Sequence, residues 1–187
     1  MILDNVRNYF LAAALVASGA SADTVDEAAR KCEAMMMASP AMTHPEMQEA
    51  VKRVDSTPVG VFQKLDELAE RGVPGAQYTM AVMNQTDTCV NRDLKLALQY
   101  HIRAAEGGVT ESQRVLAENY LLGPQAPAAI RLNVAADPVR AYSWYRLLGD
   151  YLAMARLQQK LTLVQRAQAE AMASTAAEKI VRVKSAD

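Results

Sequence analysis

Two segments, AQYTMAVMN at residues 76–84 and SQRVLAENY at residues 112–120, decide the fold of this chain. They begin 36 residues apart, and their small residues and one apolar position coincide. The helical segments that follow them match with an offset of 44 residues, so the second copy has gained eight residues in its loop. Their matching residues are Asp93, Ala97, Tyr100 and His101, which correspond to Asp137, Ala141, Trp144 and Tyr145. A helix pair that repeats with a variable loop inside it is typical of an α-solenoid.

Signals for helix starts and stops are dense along the rest of the chain. In a capping box, a threonine hydroxyl caps the helix backbone and a Glu or Gln three residues later reciprocates. The pattern occurs at Thr24 with Glu27, Thr43 with Glu46, Thr110 with Gln113, and Thr162 with Gln165. No segment alternates convincingly with period two, so the sequence predicts an all-α protein. We predict helices over residues 24–38, 43–55, 58–71, 75–84, 93–106, 110–122 and 137–149, and a final region from 150 to about 182 that breaks near Thr162.

Small and aromatic residues recur at fixed places in the repeats, and we assign them to repeat packing. Small residues let paired helices approach closely, while tyrosine and tryptophan fill the gap between one pair and the next. The set comprises Ala76, Tyr78, Ala97, Tyr100, Ala104, Ala105, Gly107, Tyr120, Ala141, Trp144 and Tyr145. Trp144 and Tyr100 are therefore expected to be buried. The loop from Pro124 to Val134 is expected to be an ordered surface segment whose shortening leaves stability nearly unchanged.

The stretches AERGVPGAQYTMAVM, CVNRDLKLALQYHIRAAEGG and DPVRAYSWYRLLGD resemble the Sel-one-like repeat (SLR), the variable-length relative of the tetratricopeptide repeat. The resemblance runs from about Leu65 to Ala173 and includes a terminal LTLVQRAQAEAMA like the closing helix of the family. This sequence departs from the family pattern where Ala81 and Ala117 replace a glycine, and where Leu148-Gly149 replaces an Ala-Ala pair. The resemblance implies an adaptor in a protein complex, often one in a bacterial envelope.

A narrower resemblance concerns Pro74 to Gly107, which contains the motif Cys-Val-x-Arg-Asp at Cys89 to Asp93. This segment resembles MotX-like SLR proteins, periplasmic components that sit beside the stator of sodium-driven polar flagellar motors. The alternative function that it implies is a structural part of such a motor.

The first 22 residues are typical of a signal peptide. An apolar run of nine residues, Tyr9 to Ala17, is too short to span a bilayer, and Ala20-Ser21-Ala22 is a small-x-small cleavage motif. We predict cleavage after Ala22 and a periplasmic protein that is not inserted in the membrane. A buried N-terminal helix is the alternative. The expected domains are a signal peptide at 1–22, a helical cap at 23–60 and an SLR solenoid with a C-terminal capping helix at 61–187.

The mature chain would keep two cysteines, Cys32 and Cys89. An oxidising compartment pairs thiols that are within reach, so a disulfide between them is the natural hypothesis for an exported protein. Two buried free thiols in a helical core are the alternative. A redox enzyme would require a C-x-x-C pair, which the sequence lacks.

Composition argues against several classes of function. Because 20 basic residues face 21 acidic ones, the chain lacks the positive surface that binding to nucleic acid requires. The two histidines, His44 and His101, are not at metal-ligand spacing from each other or from a cysteine. His101 is expected to pack as a substitute for a repeat aromatic, and the run Met35–Met37 to fill core space. We therefore expect no catalytic residues, cofactor or metal, and a non-enzymatic exported scaffold with protein partners. An enzyme of unknown class is the remaining alternative.

Overall fold

The structure, a computed structural model, describes residues 22–45, 47–49, 58–86 and 89–185. All regular secondary structure in these ranges is helical. The α-helices are α1 (Ala22–Met37), α2 (Pro58–Glu70), α3 (Pro74–Thr86), α4 (Leu94–Glu106), α5 (Thr110–Leu122), α6 (Pro138–Leu148), α7 (Tyr151–Gln158) and α8 (Leu163–Lys184). Short 3-10 helices lie at Pro40–Thr43 and Gly123–Gln125. The chain forms two compact units, one up to Ala97 and one from Leu98 onward.

The first unit is built on the pair α2 and α3, which pack against each other. Leu65 and Leu68 of α2 and Met80 and Met83 of α3 are completely or almost completely buried. The 3-10 helix after α1 packs on α3, where the Ser39 hydroxyl is hydrogen-bonded to that of Thr79. This unit therefore has an apolar core of its own, with methionine filling part of it.

The second unit is organised around α6, which packs against α5, α7 and α8. Asp137 caps α6 by accepting hydrogen bonds from the backbone N–H groups of Val139 and Arg140, both at 3.1 Å. Proline occupies the first turn of α6, where its missing N–H costs no hydrogen bond. The helix starts in the predicted place because the sequence supplies both signals.

Hydrogen bonds at matching positions confirm the repeat register. The Gln77 side-chain amide donates to the Ala69 carbonyl at 3.1 Å, and Gln113 donates to the Ala105 carbonyl at the same distance, 36 residues later. Both glutamines are buried. Each of them ties the first helix of one pair to the end of the helix before it, so α3 and α5 are equivalent elements.

The starts of α4 and α6, the second helices of the two pairs, are held by equivalent backbone hydrogen bonds. The backbone N–H of Asp93 donates to the Asn84 carbonyl at 2.9 Å, and that of Asp137 donates to the Tyr120 carbonyl at 2.7 Å. Asn84 and Tyr120 differ by the first offset, 36 residues, and the two aspartates by the second, 44 residues. The extra residues of the second loop thus leave the junction between the helices unchanged.

Three helices end at glycines in the left-handed region: Gly72 with φ 96°, Gly108 with φ 91° and Gly149 with φ 69°. After the first two, the N–H of the next residue reaches back to a helix carbonyl, from Val73 to Leu68 and from Val109 to Ala104, both at 3.0 Å. Glycine adopts this conformation without the penalty that a Cβ imposes. The predicted ends of these three helices, at residues 71, 106 and 149, lie at or within two residues of the glycines.

One of the predicted capping boxes is absent from the structure and another is present. At α5, Thr110 is already the first helical residue, the cap is Val109 without a side-chain hydrogen bond, and Gln113 is engaged with Ala105 instead. The predicted capping box there is wrong because the glutamine bonds to a neighbouring helix. At α8, by contrast, the capping box of Thr162 and Gln165 is present.

Other expectations fall partly outside the described residues. Residues 47–49 of the predicted helix 43–55 are helical, whereas most of its remaining residues and Glu46 are not described. A 3-10 helix at Pro40–Thr43, which the sequence pattern did not predict, begins where the Ser39 hydroxyl accepts a hydrogen bond from the backbone N–H of Ala41 at 3.0 Å. The predicted signal peptide lies outside the described residues except for Ala22. The boundary between cap and solenoid at residue 60 stays a prediction.

The inserted loop of the second repeat is fixed by one buried side chain. Asn119 donates to the carbonyls of Val115 and Ile130 and accepts from the backbone N–H of Leu132, each at 2.8 Å. Leu132 and Ala126 within the loop are buried. The loop is ordered as expected, but we expect its shortening to reduce stability, contrary to the sequence-based expectation, because it contributes to the core.

Candidate functional site

A groove opens between α6 and α8 in the second unit. Its cavity volume is about 400 Å³. Helix α6 contributes Ser143, Trp144 and Leu147, and the end of α4 contributes Glu106. The residues from α8 are Gln168, Ala171, Met172, Thr175 and Ala176. Most of the side chains that line the groove are apolar.

A polar network ties α6 and α8 together outside this groove. The Tyr142 hydroxyl donates to a Glu170 carboxylate oxygen at 2.8 Å, and Arg146 Nε donates to the other oxygen at 3.2 Å. Gln158 of α7 donates to the Tyr142 hydroxyl at 3.0 Å. Burial chiefly, together with the Glu170 carboxylate, raises the pKa of Tyr142, so the phenol keeps its proton. The network fixes the spacing of α6 and α8.

Small residues keep the groove open. Ala171 and Ala176 line it from α8, and neither carries a side chain long enough to reach across to α6. Trp144 and Met172 supply larger apolar surfaces, and Met172 is 37% exposed. A site of this volume lies near the lower end of the range for small-ligand pockets, which begins at about 300 Å³. The groove can accommodate one large apolar side chain or a ligand of similar size.

One charged pair lies at the groove. Lys179 Nζ of α8 is 2.7 Å from Oε1 of Glu106 at the end of α4. The side chains are 48% and 32% exposed, so water screens their attraction and the pair contributes little to stability. Among the described residues, Oε2 of Glu106 has no hydrogen-bond partner. The groove therefore combines apolar walls with the carboxylate of a partly exposed glutamate.

A second cavity, of about 500 Å³, lies beside the start of α6. Arg140 lines it and is already engaged: its Nη1 donates to the Tyr120 hydroxyl at 3.1 Å, and its Nε is 3.3 Å from Asp137 Oδ2. The guanidinium also lies over the Tyr120 ring, 5.3 Å from its centroid. These contacts assign Arg140 to holding α5 and α6 together rather than to binding a ligand.

Cys32 and Cys89 form a disulfide, with a Cα–Cα distance of 5.0 Å. The bond joins α1 to the segment that precedes α4, within the first unit. The disulfide predicted from the cysteine count is therefore present, and the alternative of two free thiols is excluded. Cys89 is buried, so solvent reaches this sulfur poorly.

Most residues assigned to repeat packing are buried. Trp144 is 8% exposed and Tyr100 is 4% exposed, so neither is displayed on the surface. Tyr78 and Gly107 are only partly buried. The other buried members of the set are Ala76, Ala97, Ala104, Ala105, Tyr120, Ala141 and Tyr145. Burial agrees with a packing role for nine of the eleven residues, and their assignment to contacts between successive repeats stays a prediction.

His101 lies in the core rather than in a site. It is completely buried, and its Nδ1 lies 3.1 Å from the Ser112 hydroxyl. Burial lowers the pKa of His101 from 6.5 to about 4. The imidazole is therefore neutral in the folded protein at neutral pH, as a packed substitute for a repeat aromatic requires.

We expect this buried histidine to make the protein sensitive to acid. Below pH 6.5 the unfolded state takes up a proton that the folded state accepts only near pH 4, so stability is complete above pH 6.5 and falls between these values. Between pH 7 and pH 4.5 the loss should be about 2–3 kcal/mol. Urea unfolding of the wild type and of His101→Gln, at both pH values, measures it. Carboxylates titrate in both proteins, so an equal loss of stability in the two would contradict the assignment.

Several exposed apolar side chains were not singled out from the sequence. Tyr151 and Leu152 of α7, and Leu163 and Val164 of α8, are each about three-quarters exposed, between 74% and 78%. The sequence also gave no signal for the groove, since Glu106 and Met172 lie on different helices far apart in the chain. Within the described ranges, no three His, Cys, Asp or Glu residues lie close enough to hold a metal ion. None of the helices described has both the length and the apolar character needed to cross a membrane.

No protein-family model and no curated protein matches the chain. Among solved structures, it is similar to the crystal structure of c5321, a protective antigen present in uropathogenic Escherichia coli strains that displays an SLR fold. The TM-score is 0.50 and the sequence identity is 24%. This chain has an SLR fold. The predicted fold class, an all-α solenoid of SLR helix pairs, is thereby confirmed.

The likeness covers 68% of this chain but only 28% of the c5321 chain. The matched part of this chain thus spans a little over a quarter of the length of that SLR protein. At this identity the likeness extends to the fold and not to an activity or a partner. The narrower resemblance to MotX-like proteins finds no support in these comparisons.

Proposed function

We propose that this protein is an exported, non-enzymatic adaptor that holds a protein partner on its helix pairs within an envelope complex. The observation that carries the proposal is the apolar groove between α6 and α8, which the SLR fold leaves open beside the buried Trp144. Repeat folds of stacked helices commonly bind extended or helical segments of other proteins on such surfaces. The exposed apolar side chains of α7 and α8 add contact surface in the same unit.

The disulfide supports the exported location. Cysteines are oxidised in the periplasm and outside the cell, whereas reducing systems of the cytosol keep most thiols free. Cys32 and Cys89 are bonded, and both lie beyond the predicted cleavage site after Ala22. No feature of the described residues favours a flagellar-motor component over a general adaptor.

We expect residues 1–22 to direct export. Fused to alkaline phosphatase, which is active only after its own disulfides form outside the cytosol, they should give phosphatase activity, and the full-length protein should be recovered with Asp23 as its first residue. Replacing Leu15 by arginine places a charge in the apolar run and should abolish the activity. Recovery of protein that begins at Met1 from the cytoplasm would contradict export.

Partner binding is testable by photocrosslinking in living cells. A benzophenone amino acid placed at Ala171, at Tyr151 and at Gln63 samples the groove, the exposed apolar surface and α2 of the first unit. An adaptor should give a discrete adduct with another protein from at least one of these positions. If every position yields only the uncrosslinked monomer in cells that express the protein at its natural level, the adaptor function is wrong.

A further inference from the structure

We propose that the groove between α6 and α8 binds an apolar side chain that is accompanied by a positively charged group, as in a partner segment with a leucine-like anchor and a nearby lysine or arginine. This inference rests on the proposed adaptor function and names the chemistry of the partner. It is carried by two observations that coincide in one place: the apolar walls at Trp144 and Met172, and the carboxylate of Glu106.

The walls define the apolar part of the ligand. Leu147, Met172 and the small accessible part of Trp144 form apolar walls around a cavity of about 400 Å³, and the alanines of α8 leave room between them. Burying one aliphatic or aromatic side chain there removes its surface and that of the walls from water, which contributes about 25 cal/mol for each Å². Anchor side chains in protein interfaces occupy pockets of this kind.

The charge defines the rest of the ligand. Glu106 is the one ionisable residue that lines the groove, and its Oε2 is unbonded among the described residues. Glu106 is 32% exposed, so its attraction for a cation is screened and modest, and it adds selectivity to the contact that the apolar walls provide. An anionic ligand would be repelled. The groove is thus complementary to a cationic apolar group.

Lys179 already contacts the same carboxylate through Oε1 and therefore competes with a bound cation. Removal of its charge should leave the apolar walls unchanged while it makes Glu106 more attractive to an incoming cation. Lys179→Gln and Glu106→Gln consequently have opposite expected effects on the same ligand, which a purely apolar pocket would not produce. Both side chains are exposed enough for these changes to preserve the fold.

Trp144 is the only tryptophan in the chain, so its fluorescence reports directly on the groove. The probes are n-hexylammonium, n-hexanol and n-hexanoate, which share one alkyl chain and differ in charge, titrated into the purified full-length mature protein with excitation at 295 nm. We expect saturable changes in the millimolar range, with hexylammonium binding about three- to fivefold more tightly than hexanol and hexanoate most weakly.

The variants locate the site. Glu106→Gln should remove the preference for hexylammonium, and Lys179→Gln should strengthen hexylammonium binding about two- to threefold. Ala171→Leu fills the groove and should weaken all three probes, whereas Ala167→Leu, at an exposed alanine of α8 outside the groove, should not. Equal affinity for the three probes, or an Ala171→Leu protein that binds them like the wild type, would overturn the inference.

These outcomes are separate from those for the adaptor function itself. If crosslinked partners form but hexylammonium has no preference over hexanol, the adaptor function stands and the chemistry assigned to the groove is wrong. If hexylammonium binds as expected but no position gives a crosslinked partner, the groove has the inferred selectivity and its assignment to a protein partner fails.

Discussion

Replacing Trp144 by alanine is expected to lower the free energy of unfolding by about 3–5 kcal/mol, the usual range for removing a buried aromatic side chain. Trp144 is 8% exposed, between buried neighbours on both sides in α6, so its removal leaves a cavity next to the groove. The free energy of unfolding of a domain is usually about 5–15 kcal/mol, so this loss is a large part of the total. Circular dichroism at 222 nm during heating should show a melting temperature lower by roughly 6–20 °C.

Tyr151→Ala is the matched control for this experiment. Tyr151 is also an aromatic residue of the second unit, but it is 74% exposed, and we expect its removal to change stability by less than about 0.5 kcal/mol. If Trp144→Ala melts at the same temperature as the wild type, the repeat register that places Trp144 in the core is wrong. In that case, a loss of partner binding in Trp144→Ala would mean that Trp144 contacts the partner directly.

Removing the disulfide is expected to have a similarly large effect. Cys32 and Cys89 are separated by 57 residues, and a bond that closes a loop of this length stabilises the folded state by about 4 kcal/mol on the chain-entropy model. The double variant Cys32→Ser, Cys89→Ser should therefore unfold at a clearly lower urea concentration than the oxidised wild type. Mass spectrometry of a nonreduced digest should find the two cysteine peptides joined.

Dithiothreitol separates the loss of the bond from the effect of the serines. It should lower the stability of the wild type to near that of the double variant and leave the double variant unchanged. Both cysteines lie in the first unit, so the stability that is lost is that of its packing. Full alkylation of both thiols without a reductant would show that the bond is absent.

The repeat and most helix boundaries could be predicted because they depend on local signals. Gly72, Gly108 and Gly149 end helices through a backbone conformation that glycine adopts most easily, and Asp137 caps α6 from its own N-terminus. Each signal acts within a few residues of the chain. Comparison of the two sequence copies predicted the register of the repeat. The equivalent hydrogen bonds of Gln77 and Gln113 confirm it.

The errors arose where a side chain bonds to a distant element. Gln113 has the spacing of a capping box, but its side-chain amide donates to the Ala105 carbonyl on the preceding helix. The loop after α5 has the composition of a surface segment, yet Asn119 draws it onto the helix and Leu132 enters the core. Local sequence does not show which distant groups come within reach.

The groove could not be predicted for the same reason. Its residues come from α4, α6 and α8, and α8 shows no clear apolar stripe, so helical periodicity did not mark the face that α8 turns to α6. The network of Tyr142, Arg146 and Glu170 that holds α6 and α8 in place also joins residues from separate helices. Alignment of the two repeat copies identifies only the residues that recur in both. The groove also involves α8, the closing helix, which is not part of either copy.

The glycine joints have a consequence for how such a chain can grow. The segment from Val73 to Gly108 begins just after one left-handed glycine and ends on the next, and the hydrogen bonds of Val73 and Val109 across these two joints have the same length, 3.0 Å. Tandem duplication of these 36 codons would join Gly108 to a second Val73 and so regenerate a joint that the chain already contains. Recombination within the gene can therefore lengthen the protein by whole 36-residue repeats, because each added repeat is joined through the same glycine–valine sequence.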